Sequence, residues 1–405
     1  MHSRWTRPRS LIVGIALVAL VATGCRWNFE VLDGHGGAHG RLNNTTGGYS
    51  TGVVYNGRPH VFYYDYVDET LRHAYHNGSF WAFETLDGNG GGAGRVNSAV
   101  GFNPTATVSG NRLRVFYYDI DAKALRHAYY VPGGGWGFET LDGNGGPNGR
   151  TIADVGRFGA ALDYRGRPQV FYYDFTNGLL RRGEWTGHTW IFENFDGDFN
   201  GARGRISADV GDVTNATAVY DWVPHVFYWD RTDGYLRHGY WDGANWQRET
   251  IDGNGAGNGR VPWDAGQFPS VVMYNGRPHV FYQDTHFSDL RHGYYADGAW
   301  FFETLDGHRN GPNGQTSSSV GDYSSATLVG GKPNVFYNSA GESTQRRGWW
   351  TGNEWRFQTF DGIGGPDGQV NHLTGWDNAA LRSGGTPHVF SYDPTAGTLR
   401  HAWFG

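Results

Sequence analysis

The sequence predicts an all-β fold, a seven-bladed β-propeller with four antiparallel strands in each blade. The composition supports it, because 65 glycines and 16% aromatic residues are typical of short strands joined by tight turns. The two chain ends also supply complementary parts of one repeat. The main observation is a repeat of 54 to 56 residues, marked by seven tryptophans: Trp27, Trp81, Trp136, Trp190, Trp246, Trp300 and Trp355.

Each repeat contains four strand-like runs that are bounded by turn residues. In the first full repeat these runs are 51–55, 60–65, 71–76 and 81–87, and Asn-Gly dipeptides mark its two hairpin turns. Four antiparallel strands repeated around an axis form a propeller, for which about four to eight blades are usual. A helical solenoid would need a 3.6-residue apolar period, which is missing.

The chain ends predict how the ring closes. The sequence stops at residues 399–405, which correspond to the third strand of a repeat. The missing fourth strand stands near the start, at residues 27–33. We therefore expect the N-terminal strand to complete the last blade, which leaves no terminal strand edge unpaired.

Residues 1–24 predict export of the chain. Three arginines precede the apolar run 11–21, which is short for a membrane span and typical of a secretory signal peptide. Removing this segment takes away three arginines and no acid, which changes the net charge from −6 to −9. An acidic surface argues against nucleic acid as a partner, because such binding depends on neutralising phosphates.

The residues around Cys25 resemble a bacterial lipobox, since small residues precede the cysteine at 22–24. That resemblance implies cleavage before Cys25 and a lipid on its thiol, and plain signal cleavage is the alternative. Cys25 is the only cysteine, so an intramolecular disulfide is excluded. We predict that residues 25–405 form one exported propeller domain, anchored at the cell surface through Cys25 or secreted, with no other membrane contact.

The glycine-rich loops look only faintly like calcium loops, because they lack most of the required acids. Residues 196–200 come nearest to that pattern. The sequence therefore predicts no metal and no cofactor.

Recurrent Asp and Arg residues form the candidate ligand-binding set. Strand directions alternate, so the long loop after the fourth strand shares a face with the loop between the second and third strands. We call it the long-loop face and the opposite one the hairpin face. Asp ends the second and fourth strands, Arg begins the third strand, and Arg closes the long loop. The candidates on the long-loop face are Asp65, Arg72, Asp87, Arg95, Asp119, Arg126, Asp142, Arg150, Asp174, Arg181, Asp230, Arg237, Asp284 and Arg291.

Two interpretations of this set stay open. In the structural one, charge-assisted hydrogen bonds tie strand ends and neighbouring blades together, which explains recurrence in every blade. In the binding one, Asp and Arg hold sugar hydroxyls in pockets between blades, and aromatic residues supply an apolar platform. The sixth blade departs from the repeat at Ser339, Gln345 and Arg347, so it is the blade expected not to bind.

The runs Val61–Asp65 and Leu71–Tyr75, followed by Gly78 and Trp81, resemble the repeats of bacterial seven-bladed propeller lectins of the fucose-binding PLL-like group. A looser similarity extends to tectonin and tachylectin propellers. The resemblance covers the mature chain and implies multivalent binding of terminal sugars between blades. The long Gly-rich loop departs from that family, so no ligand residue is carried over from it.

We therefore predict a non-enzymatic, multivalent carbohydrate-binding protein, with glycans as partners and affinity gained by avidity. The alternative is a scaffold that binds a protein on one face. A glycan hydrolase ranks third, because catalysis needs one asymmetric group of residues and the notable polar residues all recur. The sialidase box Ser-x-Asp-x-Gly-x-x-Trp is absent, and no catalytic residue is predicted, although a central channel could assemble a site from unremarkable residues.

Overall fold

The computed structural model describes residues 26–405, except 200, 214, 256, 308, 309 and 366. The predicted signal peptide 1–24 and Cys25 lie outside the described residues. The described chain forms seven four-stranded antiparallel sheets, which confirms the predicted propeller. No helix within these residues is long and apolar enough to cross a membrane.

Each blade is numbered by its order in the chain. Blade 1 contains β2 (Thr46–Tyr55), β3 (Arg58–Asp65), β4 (Thr70–His76) and β5 (Trp81–Asp87); blade 2 contains β6 (Val100–Ser109), β7 (Arg112–Asp119), β8 (Ala124–Val131) and β9 (Gly135–Asp142); blade 3 contains β10 (Val155–Tyr164), β11 (Arg167–Asp174), β12 (Leu179–Trp185) and β13 (Trp190–Asp196). Blade 4 contains β14 (Ala216–Tyr220), β15 (Val223–Asp230), β16 (Tyr235–Trp241) and β17 (Trp246–Asp252); blade 5 contains β18 (Ala265–Tyr274), β19 (Arg277–Asp284), β20 (Asp289–Ala296) and β21 (Ala299–Asp306). Blade 6 contains β22 (Val320–Val329), β23 (Lys332–Ser339), β24 (Thr344–Trp350) and β25 (Trp355–Asp361); blade 7 contains β26 (Trp376–Ser383), β27 (Thr386–Asp393), β28 (Thr398–Phe404) and β1 (Trp27–Asp33).

The ring closes through the N-terminal strand, as predicted. Strand β1 pairs antiparallel with β28, and Trp27 stands opposite Phe404. The sheet order β1-β28-β27-β26 gives blade 7 its fourth strand from the other end of the chain. This blade therefore presents no unpaired terminal edge.

The first strand of a blade is innermost and begins earlier than its sequence pattern predicts. Strand β2 starts at Thr46, ahead of the predicted run 51–55. Its pairing with β3 shifts register on both sides of Gly48, which marks a bulge. Gly47 has φ of 113°, and a Cβ there would lie 2.7 Å from the backbone of Leu399, so only glycine fits.

The hydrophobic core lies between neighbouring blades. One cluster joins Phe116 and Leu125 of blade 2 to Tyr172 and Trp190 of blade 3. Trp190 meets the rings of Phe116 and His127 edge-on, at centroid distances of 5.7 and 5.6 Å. The tryptophan that marks each repeat is thus the first or second residue of the fourth strand, and it packs one blade on the previous one.

Candidate functional site

The Asp that ends each fourth strand joins two blades. Asp87 is fully buried, and its Oδ2 accepts hydrogen bonds from the Tyr117 hydroxyl at 2.5 Å and from Arg126 Nε at 3.0 Å. Its Oδ1 accepts from the backbone N–H groups of Gly88 and Val96 in the long loop. Tyr117 and Arg126 belong to the next blade, so one carboxylate fixes a strand end, a loop and a blade interface together.

The same joint recurs in all seven blades. In each of them the Arg of one blade pairs with the Asp of the previous blade, and both side chains are at least 94% buried. The pairs are Arg72–Asp33, Arg126–Asp87, Arg181–Asp142, Arg237–Asp196, Arg291–Asp252, Arg346–Asp306 and Arg400–Asp361. Burial at this level fits the structural interpretation of the predicted residues in these pairs.

Sequence reasoning missed the tyrosine of this joint, because a Tyr inside a buried strand reads as core. Tyr63, Tyr117 and Tyr172 are fully buried, and each donates its hydroxyl hydrogen to the carboxylate of the joint. Burial, together with the adjacent carboxylate, raises the pKa of each phenol well above its ordinary value. The hydroxyl therefore stays a hydrogen-bond donor at every ordinary pH.

The second-strand Asp residues cap the following loop. Asp65 Oδ1 accepts hydrogen bonds from the backbone N–H groups of Val67 and Asp68, at 2.8 and 3.0 Å. Burial raises the pKa of Asp230 to about 6. Equivalent backbone bonds reach the carboxylates of the other predicted members of this group, and all are buried: Asp119, Asp174, Asp230 and Asp284.

The predicted long-loop arginines also contact protein groups. Arg95 Nε donates to the carbonyl of Leu86, and its guanidinium lies 5.0 Å from the ring centroid of Phe138 in the next blade. Arg150 lies over Phe192 in the same way. None of the fourteen predicted residues lines the cavities described below. A ligand role for them stays a prediction, and the geometry favours the structural one.

Two equivalent pockets open between blades on the hairpin face, opposite to the face that the sequence indicated. The pocket between blades 1 and 2 has a volume of about 520 Å³, and the one between blades 5 and 6 has about 670 Å³. Both have the size of small-molecule sites. The first is lined by Tyr55, Arg58, His60, Glu84 and Trp136, among others, and the second by their repeat equivalents, among them Tyr274, Arg277, His279, Glu303 and Trp355.

A Glu–His–His chain fixes the polar wall of the first pocket. Nδ1 of His73 lies 2.9 Å from Glu84 Oε1, and Nε2 of His73 lies 2.9 Å from Nδ1 of His60. Burial lowers the pKa of His60 to about 3, so this ring is neutral. Burial opposes ionisation of Glu84, but hydrogen bonds from His73 and Trp136 outweigh it and lower the pKa of this carboxyl. The pocket thus holds one ionised carboxylate beside neutral imidazoles.

The central channel contains a different arrangement. A cavity of about 80 Å³ lies on the axis, and a wider one of about 250 Å³ lies nearer the hairpin face. The smaller cavity is lined by the bulge residue of six first strands, and all six have φ between 47° and 54°. The bulge therefore turns one residue per blade toward the axis: Tyr49, Asn103, Phe158, Phe268, Tyr323 and Asp377.

Asp377 is the one acid at this position in those six blades. Its Oδ2 accepts a hydrogen bond from the backbone N–H of Tyr49 at 2.8 Å, and its carbonyl accepts one from Ser50 Oγ. No cationic side chain of the described chain pairs with it. Burial therefore raises the pKa of Asp377 to about 6, and the carboxyl keeps a substantial protonated fraction near neutral pH.

A second carboxyl, Asp322, belongs to the adjacent blade 6. Asp322 directly precedes the channel residue Tyr323. Burial raises the pKa of Asp322, and a hydrogen bond from Gln283 offsets this rise only in part. Burial also raises the pKa of Tyr323, and the charges of both Asp377 and Asp322 add to the effect. The phenol of Tyr323 therefore lies within electrostatic reach of two carboxyl groups. Asp322 and Asp377 each stand near the start of a first strand, at the long-loop end of the channel.

Ser50 belongs to a Gly-x-Ser-x-Gly sequence, Gly48–Gly52, which does not form a nucleophile elbow. The motif lies inside strand β2, whereas the elbow places its serine on a strand-to-helix turn. Ser50 Oγ is already engaged with the Asp377 carbonyl at 2.6 Å. This serine therefore positions strands and is not arranged as a nucleophile.

Comparison with known proteins gives matches to this chain among solved structures. No family model matches it, and no curated protein does. Among solved structures it is similar to the Hadza microbial sialidase Hz136, with 12% sequence identity and a TM-score of 0.44 over 85% of this chain and 73% of that one. It is similar to a thermostable family-43 glycoside hydrolase with 12% identity and a TM-score of 0.38, over 80% of this chain and 95% of that one. It is also similar to the β-propeller domain of the Trilobed protease from Pyrococcus furiosus, with 8% identity and a TM-score of 0.46 over 88% of this chain and 94% of that one.

The seven four-stranded sheets define the class of this protein as a seven-bladed β-propeller, and the predicted function needs correction. The solved structures that resemble the chain are mostly sialidases and family-43 glycoside hydrolases, which contradicts the prediction of a non-enzymatic lectin. Of the residues expected to hold sugars, the fourth-strand Asp and third-strand Arg residues are buried in the joints between blades, and the second-strand Asp residues are buried where they cap loops.

Proposed function

We propose that this propeller is a glycan-processing hydrolase that cleaves a glycosidic bond at the long-loop end of its central channel. The observation that carries the proposal is the pair Asp322 and Asp377. These two carboxyl groups come from adjacent blades, both have raised pKa values, and neither has a cationic partner among the described residues. Glycoside hydrolysis ordinarily uses two carboxyl groups, of which one carries a proton.

Asp377 suits the role of general acid. A pKa of about 6 keeps its proton available near neutral pH, as efficient proton transfer requires. In the proposed step Asp377 gives its proton to the glycosidic oxygen while the bond from that oxygen to the anomeric carbon breaks. Asp322 takes a proton from a water molecule, and the water oxygen bonds to the anomeric carbon. The products are two sugars, and the proton returns to Asp377 through solvent.

The pockets between blades do not supply this chemistry. Glu84 is held ionised by its hydrogen bonds, and the pKa of His60 is too low for it to take up a proton near neutral pH. Neither group can therefore act as the acid that a leaving alcohol needs. The asymmetry that catalysis requires is supplied by the channel, where only one bulge position of the six carries an acid.

The decisive experiment is hydrolysis of a broad panel of aryl and oligosaccharide glycosides by the purified protein. We expect turnover of a defined subset, and a loss of roughly a hundredfold or more in kcat for Asp377→Asn, the usual contribution of a general acid. The matched control is Asp297→Asn, since Asp297 is 87% exposed on the hairpin face. Absence of turnover on the whole panel by folded protein, or equal rates for wild type and Asp377→Asn, would refute the proposal.

We also propose that this activity operates outside the cytoplasm. The signal-like segment 1–24 and the lipobox-like residues before Cys25 support export, with anchoring through a lipid on Cys25 or release. The similarity of the repeat to PLL-like propellers is proposed as a likeness of fold only. Metabolic labelling with a radioactive fatty acid tests the lipid, because a Cys25→Ser variant should lose the label.

A further inference from the structure

We infer that the substrate of this channel site is an uncharged glycan, which approaches from the long-loop face and places a sugar ring against an aromatic wall. The inference rests on the proposed hydrolase and adds its substrate class. It depends on three features of the channel mouth: an aromatic side, a charged side without a free cation, and a small cavity behind them.

The aromatic side of the mouth belongs to blades 7, 1 and 2. Tyr49 and Phe102 lie 4.0 Å apart between ring centroids, and Tyr66 lies 6.3 Å from Tyr49. Tyr66 fills the space that a side chain at Gly48 would occupy, and it is 37% exposed. Tyr392 of blade 7 continues this wall at 5.4 Å from Tyr66. Such surfaces bind the apolar faces of sugar rings without requiring charge.

The opposite side of the mouth carries charges that are already paired. Nη2 of Arg157 lies 3.2 Å from Asp154 and 3.0 Å from the Tyr118 hydroxyl, and its guanidinium lies 4.4 Å from the ring centroid of Phe175. These contacts occupy the cation on several sides. Arg157 is therefore not free to hold the carboxylate or sulfate of an acidic sugar.

The second cation of this side is Arg231, which is paired as well. Its Nη1 lies 2.6 Å from Asp212 and 3.8 Å from Asp209. Together with Asp154, Asp322 and Asp377, these acids outnumber the two arginines at the mouth. An anionic substituent would therefore meet net repulsion, and it would find no unpaired cation among the described residues of the mouth.

A cationic substituent is excluded for a different reason. The titratable groups within electrostatic reach of Asp377 are the phenols of Tyr49, Tyr66, Tyr323 and Tyr392, and none of them is cationic. An ammonium group placed among them would stabilise the carboxylate form of Asp377. The acid would then lose the proton that the leaving oxygen needs, so only an uncharged sugar leaves the site competent.

The axial cavity that Asp377 lines is small. Its volume of about 80 Å³ is well below the roughly 300–1,000 Å³ of small-molecule sites, so a sugar ring has to lie at the mouth, outside this cavity. The residues of the mouth therefore decide what binds.

Binding to an inactivated protein tests the inference separately from turnover. We would apply Asp377→Asn to an array of neutral, amine-bearing and acidic glycans, and measure the strongest ligands by calorimetry. We expect uncharged glycans to bind at least tenfold more tightly than matched acidic ones. We also expect the wild-type protein to cleave uncharged glycosides at least tenfold faster than matched amine-bearing ones. Tyr66→Ala, made in the Asp377→Asn protein, should weaken binding about tenfold. Trp222→Ala in the same protein should leave it unchanged, because Trp222 is 84% exposed on the hairpin face.

The outcomes separate the two proposals. Tightest binding of acidic glycans, faster cleavage of amine-bearing than of uncharged glycosides by the wild-type protein, a blank array, or equal effects of Tyr66→Ala and Trp222→Ala would overturn the inference. Preference for uncharged glycans without any turnover by wild type would refute the hydrolase and keep the specificity. Turnover that favours acidic glycans would keep the hydrolase and refute the specificity.

Discussion

Replacing Arg126 by alanine tests whether the recurrent Asp–Arg joints hold the ring together. The Arg126 side chain is 3% exposed and its partner Asp87 is fully buried, with 2.9 Å between Nη2 and Oδ2. Arg126 also donates to Thr140 Oγ1 and to the carbonyl of Gly94. The alanine variant leaves a buried carboxylate without its cation and a carbonyl without its donor.

The expected loss of stability follows from these contacts. Breaking a buried ion pair by removing one partner costs about 3–5 kcal/mol, and the lost carbonyl partner adds about 1 kcal/mol. We therefore expect Arg126→Ala to lower the free energy of unfolding by about 4–6 kcal/mol. Tyr117→Phe removes a single hydrogen bond to the same carboxylate and should cost about 1.5–3 kcal/mol.

Urea unfolding followed by tryptophan fluorescence measures these differences, with no ligand present. The double variant Asp87→Asn/Arg126→Ala provides the internal check, because partners in one network are not additive. Its loss should be smaller than the sum of the two single losses by about 1 kcal/mol or more. A loss below about 1 kcal/mol for Arg126→Ala would refute the structural reasoning and return this arginine to the candidates for ligand binding.

The remaining predictions concern the channel acid, the bulge and the blade interface. Asp377→Asn should stabilise the protein by about 1–3 kcal/mol above pH 6, because a carboxyl whose folded pKa is raised from 3.8 to about 6 disfavours the folded state once it ionises. The difference should vanish below about pH 3, where the carboxyl is protonated in both the folded and the unfolded state. Equal differences in unfolding free energy at pH 3 and pH 8 would contradict this. The kcat of wild type should fall as pH rises through about 6, whereas a flat profile from pH 5 to 8 would remove Asp377 as the acid. Gly101→Ala should destabilise blade 2 by more than 1 kcal/mol, since φ is 103° and the new Cβ would lie 2.6 Å from the Leu71 backbone; an unchanged melting temperature would show that the bulge relaxes. Trp190→Ala should cost about 3–5 kcal/mol in thermal unfolding, and a loss no larger than that of the exposed control Trp222→Ala would mean that the repeat tryptophan does not hold the blades together.

Much of the fold could be predicted because the signals repeat. The recurrent tryptophan, the turn dipeptides and the divided last repeat each indicate the same ring, and the pairing of β1 with β28 confirms it. The start of β2 could not be predicted, because its first residues form a bulge with glycines and positive φ values, which read as loop.

The site was harder to predict, because recurrence points to structure more than to chemistry. Asp87 and Arg126 were recognised as members of recurrent sets, but sequence alone did not show that they pair with each other or that both are buried. Asp377 was missed because its repeat position holds Tyr, Asn, Phe or Asp, and a variable position draws no attention. A signal was present, since this is the one acid among those bulge residues, but it has meaning only once the bulge is known to face the axis.

The pairing of β1 with β28 also has a consequence for how the chain folds. Trp27 and Phe404, which lie opposite each other, are among the first and last residues of the described chain. Synthesis produces β1 early, yet its partner strand is available only after the six other blades have been made. Such a long-range contact closes slowly, and until then both strands expose bare edges that can pair with other molecules. Assembly of the last blade is therefore the step at which folding competes with aggregation.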